Sequence, residues 1–191
     1  MNEWMTIITV YWSFLLHSLL HSLTLRYSTQ ADVTFVRASV RAIGRCAIKL
    51  ESSADRCVNV LLYLLQSKVS YIVQEVIIVL TELFRIYPGK YTSVLVPMCN
   101  SLSLLDEPQA RASIIWLIGE HAELIDNATE LLELFLDFYH DEKPSVQLQL
   151  LTATVKLFLK KPEEGKDIVS TLLSLATEET ISVDIRDRAF L

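Results

Sequence analysis

The residues in this chain that could carry chemistry are present, but their spacing does not assemble them. His17 and His21 lie four apart, an interval that puts two imidazoles on one helix face, yet no third ligand stands near them. Cys46, Cys57 and Cys99 are odd in number and too widely spaced for C-x-x-C chemistry. They predict buried thiols in a reducing compartment, not a disulfide framework or a zinc site. The carboxylate pairs Glu163-Glu164 and Glu178-Glu179 fall at expected helix ends or in loops, where they read as solvated charge and not as a glycosidase acid and base. Glu120 and His121 are adjacent and therefore diverge on a helix surface, and His121 has no metal partner at useful spacing. Gly44, Gly89, Gly119 and Gly165 are scattered, which excludes a glycine-rich phosphate loop, and neither G-x-S-x-G nor H-E-x-x-H occurs. The sequence thus predicts no catalytic residue, no cofactor-binding residue, no metal ligand and no cofactor. Function is expected in surfaces.

The elements that would build those surfaces follow from composition and periodicity. The chain has 191 residues, 51% hydrophobic and 21% charged, with four glycines and five prolines. That is one domain's worth of chain, or a piece of a larger array, and it is too apolar and too poor in turn residues for a disordered tail, a fibre or a small β-domain. Lysine and arginine total 17 against 23 aspartates and glutamates, a net charge of −6. An acidic balance gives no counterion-release drive onto nucleic acid, and the basic group Lys160, Lys161 and Lys166 is short, so nucleic acid is rejected as a partner.

From Trp4 to Leu25 no Asp, Glu, Lys or Arg occurs, about the length that spans a bilayer. Ser, Thr and His recur through it, and no basic n-region precedes it. Residues 1–26 are therefore set apart as an apolar segment: a buried packing helix, a non-native start, or a membrane span.

Beyond it, amphipathic helices recur in pairs. Asp32 is placed to cap a helix through Lys49, with Val33, Val36, Val40, Ile43 and Ala47 on one face. A partner restarts near Ser53, with Val58, Leu61, Leu62 and Leu65 inward. Tyr71–Ile86, stopped by Pro88-Gly89, is followed by Thr92–Leu105; then come Pro108–Ile125 with Asn127–His140, and Pro144–Lys160 with Pro162–Glu178. Val183–Leu191 opens a fifth pair that stops partway, leaving the apolar face of the last repeat uncovered. Ile43, Leu80, Ile118 and Val155 align at intervals of 37, 38 and 37, and a constant period with two helices predicts an all-α fold, an α-solenoid of antiparallel helix pairs of the HEAT or armadillo kind, a superhelix.

Caps support these boundaries. Pro108, Pro144 and Pro162 suit first helical turns, Asp106 is a candidate N-cap, and Asn127 with Glu130 resembles a capping box. Asn127-Ala-Thr129 also matches a glycosylation sequon and is read as a cap. Pro97, inside an expected helix, should kink it. Arg41 and Arg45 are placed either to reach acidic groups on the adjoining repeat or to form a surface pair, and Trp116 among isoleucines and leucines reads as core.

Longer words in the sequence go beyond a generic repeat. Phe35-Val-Arg-Ala-Ser-Val-Arg-Ala-Ile-Gly-Arg-Cys-Ala-Ile-Lys-Leu50 resembles the trunk of the beta-type large subunit of clathrin adaptor complexes, the beta-adaptins. So do Ser103-Leu-Leu-Asp-Glu-Pro-Gln-Ala-Arg-Ala112, Ile115-Trp-Leu-Ile-Gly-Glu-His-Ala122, Val146-Gln-Leu-Gln-Leu-Leu-Thr-Ala153, Val155-Lys-Leu-Phe-Leu-Lys-Lys-Pro162 and Asp184-Ile-Arg-Asp-Arg-Ala189. The resemblance runs in order over residues 27–191, which are read as adaptin trunk-like repeats, similar to the middle-to-late part of the trunk. The words are most similar to the beta chains of the plasma-membrane and trans-Golgi or endosomal complexes. It implies a non-catalytic scaffold in vesicle-mediated protein transport that assembles with a second large chain, a medium chain and a small chain. It further implies a cytoplasmic chain held peripherally, through the complex, on the cytosolic face of membranes. Clathrin binding, in this family, lies in a linker and appendage that the chain does not match. The alternatives to this resemblance are an unrelated HEAT or armadillo scaffold and a membrane-anchored helical protein. The residues contacting partners are not legible in the sequence.

Overall fold

A computed structural model describes residues 33–178 and 182–190. The expected Asp32 cap, the apolar segment with His17 and His21, and Glu179 lie outside the described residues. The chain divides into two compact units, Met1–Ile86 and Tyr87–Leu191. Among the described residues every regular element is a helix.

In the first unit, α1 (Val33–Lys49), α2 (Glu51–Leu65) and α3 (Ser70–Ile86) pack mutually. α1 buries Val36, Val40, Ile43 and Ala47 at the three-and-four spacing of one helix face, whereas Val33, in the first turn, is exposed. Leu50 alone joins α1 to α2, so the second helix starts at Glu51, ahead of Ser53, whose N–H donates to the Leu50 carbonyl at 2.9 Å. α2 buries Val58, Leu61, Leu64 and Leu65, while Leu62 is half-buried. Twelve residues of α3, from Ile72 to Phe84, are buried. A helix buried nearly all round has neighbours on several sides, as a first helix inside a stack must.

The second unit opens on the turn at Pro88-Gly89, where Gly89 has φ 78°, a left-handed conformation that needs no Cβ. The single helix expected over Thr92–Leu105 is instead a 3-10 turn (Thr92–Val94), a five-residue α4 (Leu95–Cys99) and a second 3-10 turn (Leu102–Leu104). Pro97 sits in the first turn of α4, so it removes no helical hydrogen bond; it does not bend a long helix, because the helix is short. The Ser101 hydroxyl donates to the Pro97 carbonyl at 3.0 Å where the helix ends.

The remaining elements are α5 (Pro108–Glu120), α6 (Ala128–Leu136), α7 (Pro144–Lys160), α8 (Pro162–Ala176) and α9 (Val183–Phe190). Proline opens α5, α7 and α8 as expected. The cap of α5 is Glu107, not Asp106, and α5 gives way after Glu120 to a 3-10 turn (Ala122–Leu124). Asn127 is the cap residue of α6 but makes no side-chain cap bond, so the expected box with Glu130 does not form. α6 is also shorter than expected and is followed by a 3-10 turn at Tyr139–Asp141.

α5 packs along α7, α6 against α8, and α9 against both α7 and α8. First helices thus neighbour first helices and second helices neighbour second helices, the arrangement of an α-solenoid. The register holds for Ile43, Leu80 and Ile118, all buried, and fails in α7, where Val155 is 40% exposed. The buried position there is Thr154, because unequal loops shift the phase of α7 by one residue.

Candidate interaction surface

A repeat protein presents a usable surface only if its helices hold a fixed register, and here charged side chains do this at the seams. In the first unit Arg41 on α1 donates to both carboxylate oxygens of Glu75 on α3, Nε at 2.5 Å and Nη2 at 3.0 Å. Glu75 is 2% exposed and the Arg41 side chain 54%, so a buried carboxylate is served by a guanidinium that keeps one side in water. Of the two arrangements open to Arg41 and Arg45, Arg41 takes the crossing one, and Arg45 is exposed. Beside this pair α1 and α3 are in close contact at Gly44, where a Cβ would run into the Val79 side chain.

The second unit repeats the device between α5 and α7. Lys156 donates to the Glu120 carboxylate at 2.6 Å, with its ammonium 5.7 Å from the Trp116 ring centroid. Trp116 is half-buried under this lysine and is not the core residue its neighbours suggested. The hydrogen bond from Lys156 holds the Glu120 carboxyl below the usual range, against the opposing effect of burial. Lys160 donates to the Glu120 backbone carbonyl, and Lys161 reaches the Ile125 carbonyl at 3.3 Å, so both lysines satisfy acceptors left where α5 and its 3-10 turn end. Two members of the short basic group are therefore engaged structurally, and Lys166 is exposed. Burial pushes the pKa of His121 down, which keeps that imidazole neutral at pH 7.

The return from α6 to α7 is fixed separately. Arg111 pairs with Glu142 and lies 5.1 Å from the Phe135 ring centroid, and the Gln147 amide donates to the Tyr139 carbonyl at 2.7 Å. Burial raises the Tyr139 hydroxyl to about 12. His140 and Glu178 approach to 3.5 Å, which brings the end of α8 beside the turn that follows α6.

Among the described residues the other candidates form no catalytic or metal-binding group, and Glu164 pairs with Lys161 at 3.5 Å. Cys57 and Cys99 are buried free thiols pushed up to about 11 by burial, and Cys46 is raised by the same cause. Glu163 and Glu164 are exposed in the first turn of α8, where carboxylates favour the helix dipole. Among the described residues no cluster of His, Cys, Asp and Glu could hold a metal ion, and no helix is long and apolar enough to cross a membrane.

Sequence reasoning missed Glu75, Glu142 and Lys156. The available signal was opposite charge about one repeat apart, Arg41 with Glu75 and Glu120 with Lys156. It also missed two exposed apolar residues, Leu134 in α6 and Phe138 in the turn after it, which a helical period alone does not separate from core.

Comparison with known proteins gives a consistent result. Residues 16–191 match the family model described as the adaptin N terminal region. The match begins within the apolar segment, and being to the N-terminal region it lends no support to a middle-to-late placement along the trunk. The chain is 60% identical over 165 residues to the rat (Rattus norvegicus) AP-1 complex subunit beta-1, covering 86% of this chain and 17% of that protein. It is 55% identical over 165 residues to the Dictyostelium discoideum AP-1 complex subunit beta, covering 86% and 18%. Against the Schizosaccharomyces pombe AP-2 complex subunit beta it is 40% identical over 165 residues, covering 86% and 24%. The chain thus spans less than a quarter of the length of these relatives. A chain of a homology model of the full-length AP-3 complex in an intermediate open conformation superposes with a TM-score of 0.67 at 20% identity, covering 85% of this chain and 31% of that one, a likeness of fold.

Proposed function

Because this chain belongs to the adaptin N-terminal region family, we propose that it is a non-catalytic scaffold segment of the beta-type large subunit of a clathrin-associated adaptor complex, acting in vesicle-mediated intracellular protein transport. The observation that carries the reading is 60% identity to an AP-1 beta-1 subunit over 165 residues. The seams support it physically. Arg41 with Glu75, and Glu120 with Lys156, hold neighbouring first helices at fixed offset, so each unit offers a pre-organised face that loses little entropy on binding.

In this reading the partners are a second large chain, a medium chain and a small chain, and the complex places the protein peripherally on the cytosolic face of trans-Golgi, endosomal or plasma membranes. Clathrin binding is assigned elsewhere in such subunits, and no residue here is given a catalytic role. Residues 27–191 form the repeats and 1–26 a segment apart from them, a boundary resting on the change in composition. The middle-to-late position in the trunk rests on the matching words alone.

Co-purification tests the assignment. Tagged chain expressed in cells is expected to recover adaptor medium, small and second large chains, and recovery of none of the three overturns it. Carbonate extraction tests the peripheral placement: release to the supernatant is expected, and retention in the pellet overturns it.

A further inference from the structure

Along α6 the inward stripe is Ala128, Leu132 and Phe135, and Leu134 points away from it. Leu134 is 58% exposed, and Phe138, in the turn that follows the helix, 59%. Two large apolar side chains four residues apart facing water carry a hydration cost that a partner surface removes. The stretch of chain around them carries one sign of formal charge. From His121 to Asp141 the chain has six carboxylates, Glu123, Asp126, Glu130, Glu133, Asp137 and Asp141, and no lysine or arginine. All six are exposed, and none forms an ion pair among the described residues.

Helix stability does not account for this arrangement. Glu130, in the first turn, suits the dipole, but Glu133 lies near the C-terminal end of α6, Asp137 caps it and Asp141 follows, where carboxylates meet the partial negative charge of unpaired carbonyls. No basic residue lies in the last turn to offset them. The spacing joins the two features: Glu130 and Leu134 share one face of α6 at an interval of four, and Asp137, the cap of α6, stands between Leu134 and Phe138 in the chain.

We propose that this face of α6, with the turn that follows it, docks a basic amphipathic segment of a partner protein, an α-helix with leucine-like anchors on one side and lysine or arginine flanking them. The anchors cover Leu134 and Phe138, and the flanking cations pair with Glu130, Glu133 and Asp137. The opposite sign excludes an anionic lipid surface, which six carboxylates repel. The inference stands on this face alone and does not depend on assembly into an adaptor complex.

Fluorescence anisotropy on the full chain tests it, using a labelled helical peptide of about 18 residues with leucine on one face and lysine on the other, beside a leucine and glutamate peptide of the same pattern. The lysine peptide is expected to bind at least about tenfold more tightly than the glutamate peptide and to weaken as salt rises. Leu134→Ser with Phe138→Ser is expected to weaken it about tenfold or more, and Glu133→Lys with Asp137→Lys to reverse the preference. All four side chains are exposed, so thermal melts of both variants are expected to match the parent, and the charge-reversal pair carries the test if the serine pair does not fold. Equal binding of the two peptides, or undiminished binding by the variants, overturns the proposal. So does a dimer in sedimentation that the serine pair abolishes, since a second copy would then cover the face.

Discussion

Gly119 of α5 rests directly on the backbone of α7 at Ala153: a Cβ on Gly119 would lie 2.6 Å from the Ala153 Cα and 2.9 Å from its carbonyl oxygen. No side-chain rotation relieves contacts with main-chain atoms, so Gly119→Ala must push the two first helices apart. The expected cost is about 1–3 kcal/mol, read as a lower urea midpoint. Gly44→Ala meets the Val79 side chain instead, and the added substitution Val79→Ala is expected to recover most of that loss, whereas Ala153→Gly does little for Gly119→Ala.

Removal of Arg41 leaves the buried carboxylate of Glu75 without its guanidinium. Because Arg41 is half in water, Arg41→Ala is expected to destabilise by roughly 1–3 kcal/mol, below the full cost of breaking an ion pair buried on both sides. Arg41→Met combined with Glu75→Leu, which removes both charges, should fall closer to the parent than Arg41→Ala alone. A double-mutant cycle by denaturant titration checks this.

Acid is expected to destabilise the second unit in two steps. Burial lowers the His121 pKa, so the unfolded chain takes up that proton first, and stability falls as pH drops below the ordinary histidine value of 6.5. The lowered Glu120 carboxyl contributes stability that is present above the ordinary value of 4.5 and is lost as pH falls through the folded-state value. Thermal melts carried from pH 7 to well below 4.5 should show both steps, with His121→Asn removing the upper and Lys156→Met the lower.

Pro97, in the first turn of α4, is expected to tolerate Pro97→Ala with a change within about 0.5 kcal/mol, far less than the roughly 3 kcal/mol of a mid-helix proline. Thr154 is fully buried with no partner for its hydroxyl among the described residues, so Thr154→Val should be neutral or stabilising, by up to about 1 kcal/mol. Urea midpoints of the two variants measure both.

The hairpin repeat was legible because burial imposes a helical period, and α1, α3, α5, α7 and α8 stand within a few residues of where that period and the prolines put them. What failed was governed by something other than the period. Thr92–Leu105 and Asn127–His140 have helical composition, yet the first is a five-residue helix between 3-10 turns, with the Ser101 hydroxyl bonded where that helix ends, and the second a nine-residue helix followed by a 3-10 turn. Asn127 has the residue type of a cap without making its bond, and Val155 misses the core because loop lengths set the phase of α7. The seam pairs escaped notice because Arg41 and Glu75 are 34 residues apart, beyond any helix-scale pattern. Leu134 and Phe138 escaped because one sequence does not distinguish an apolar residue facing a neighbour from one facing water.

Lys160 and Lys161 complete the ends of α5 and its following turn from some 36 to 40 residues downstream. A chain delivered only as far as Ile125 has α5 and its 3-10 turn but neither lysine, so those carbonyls can bond only to water. The far end of one repeat is thus finished by side chains that the next repeat supplies.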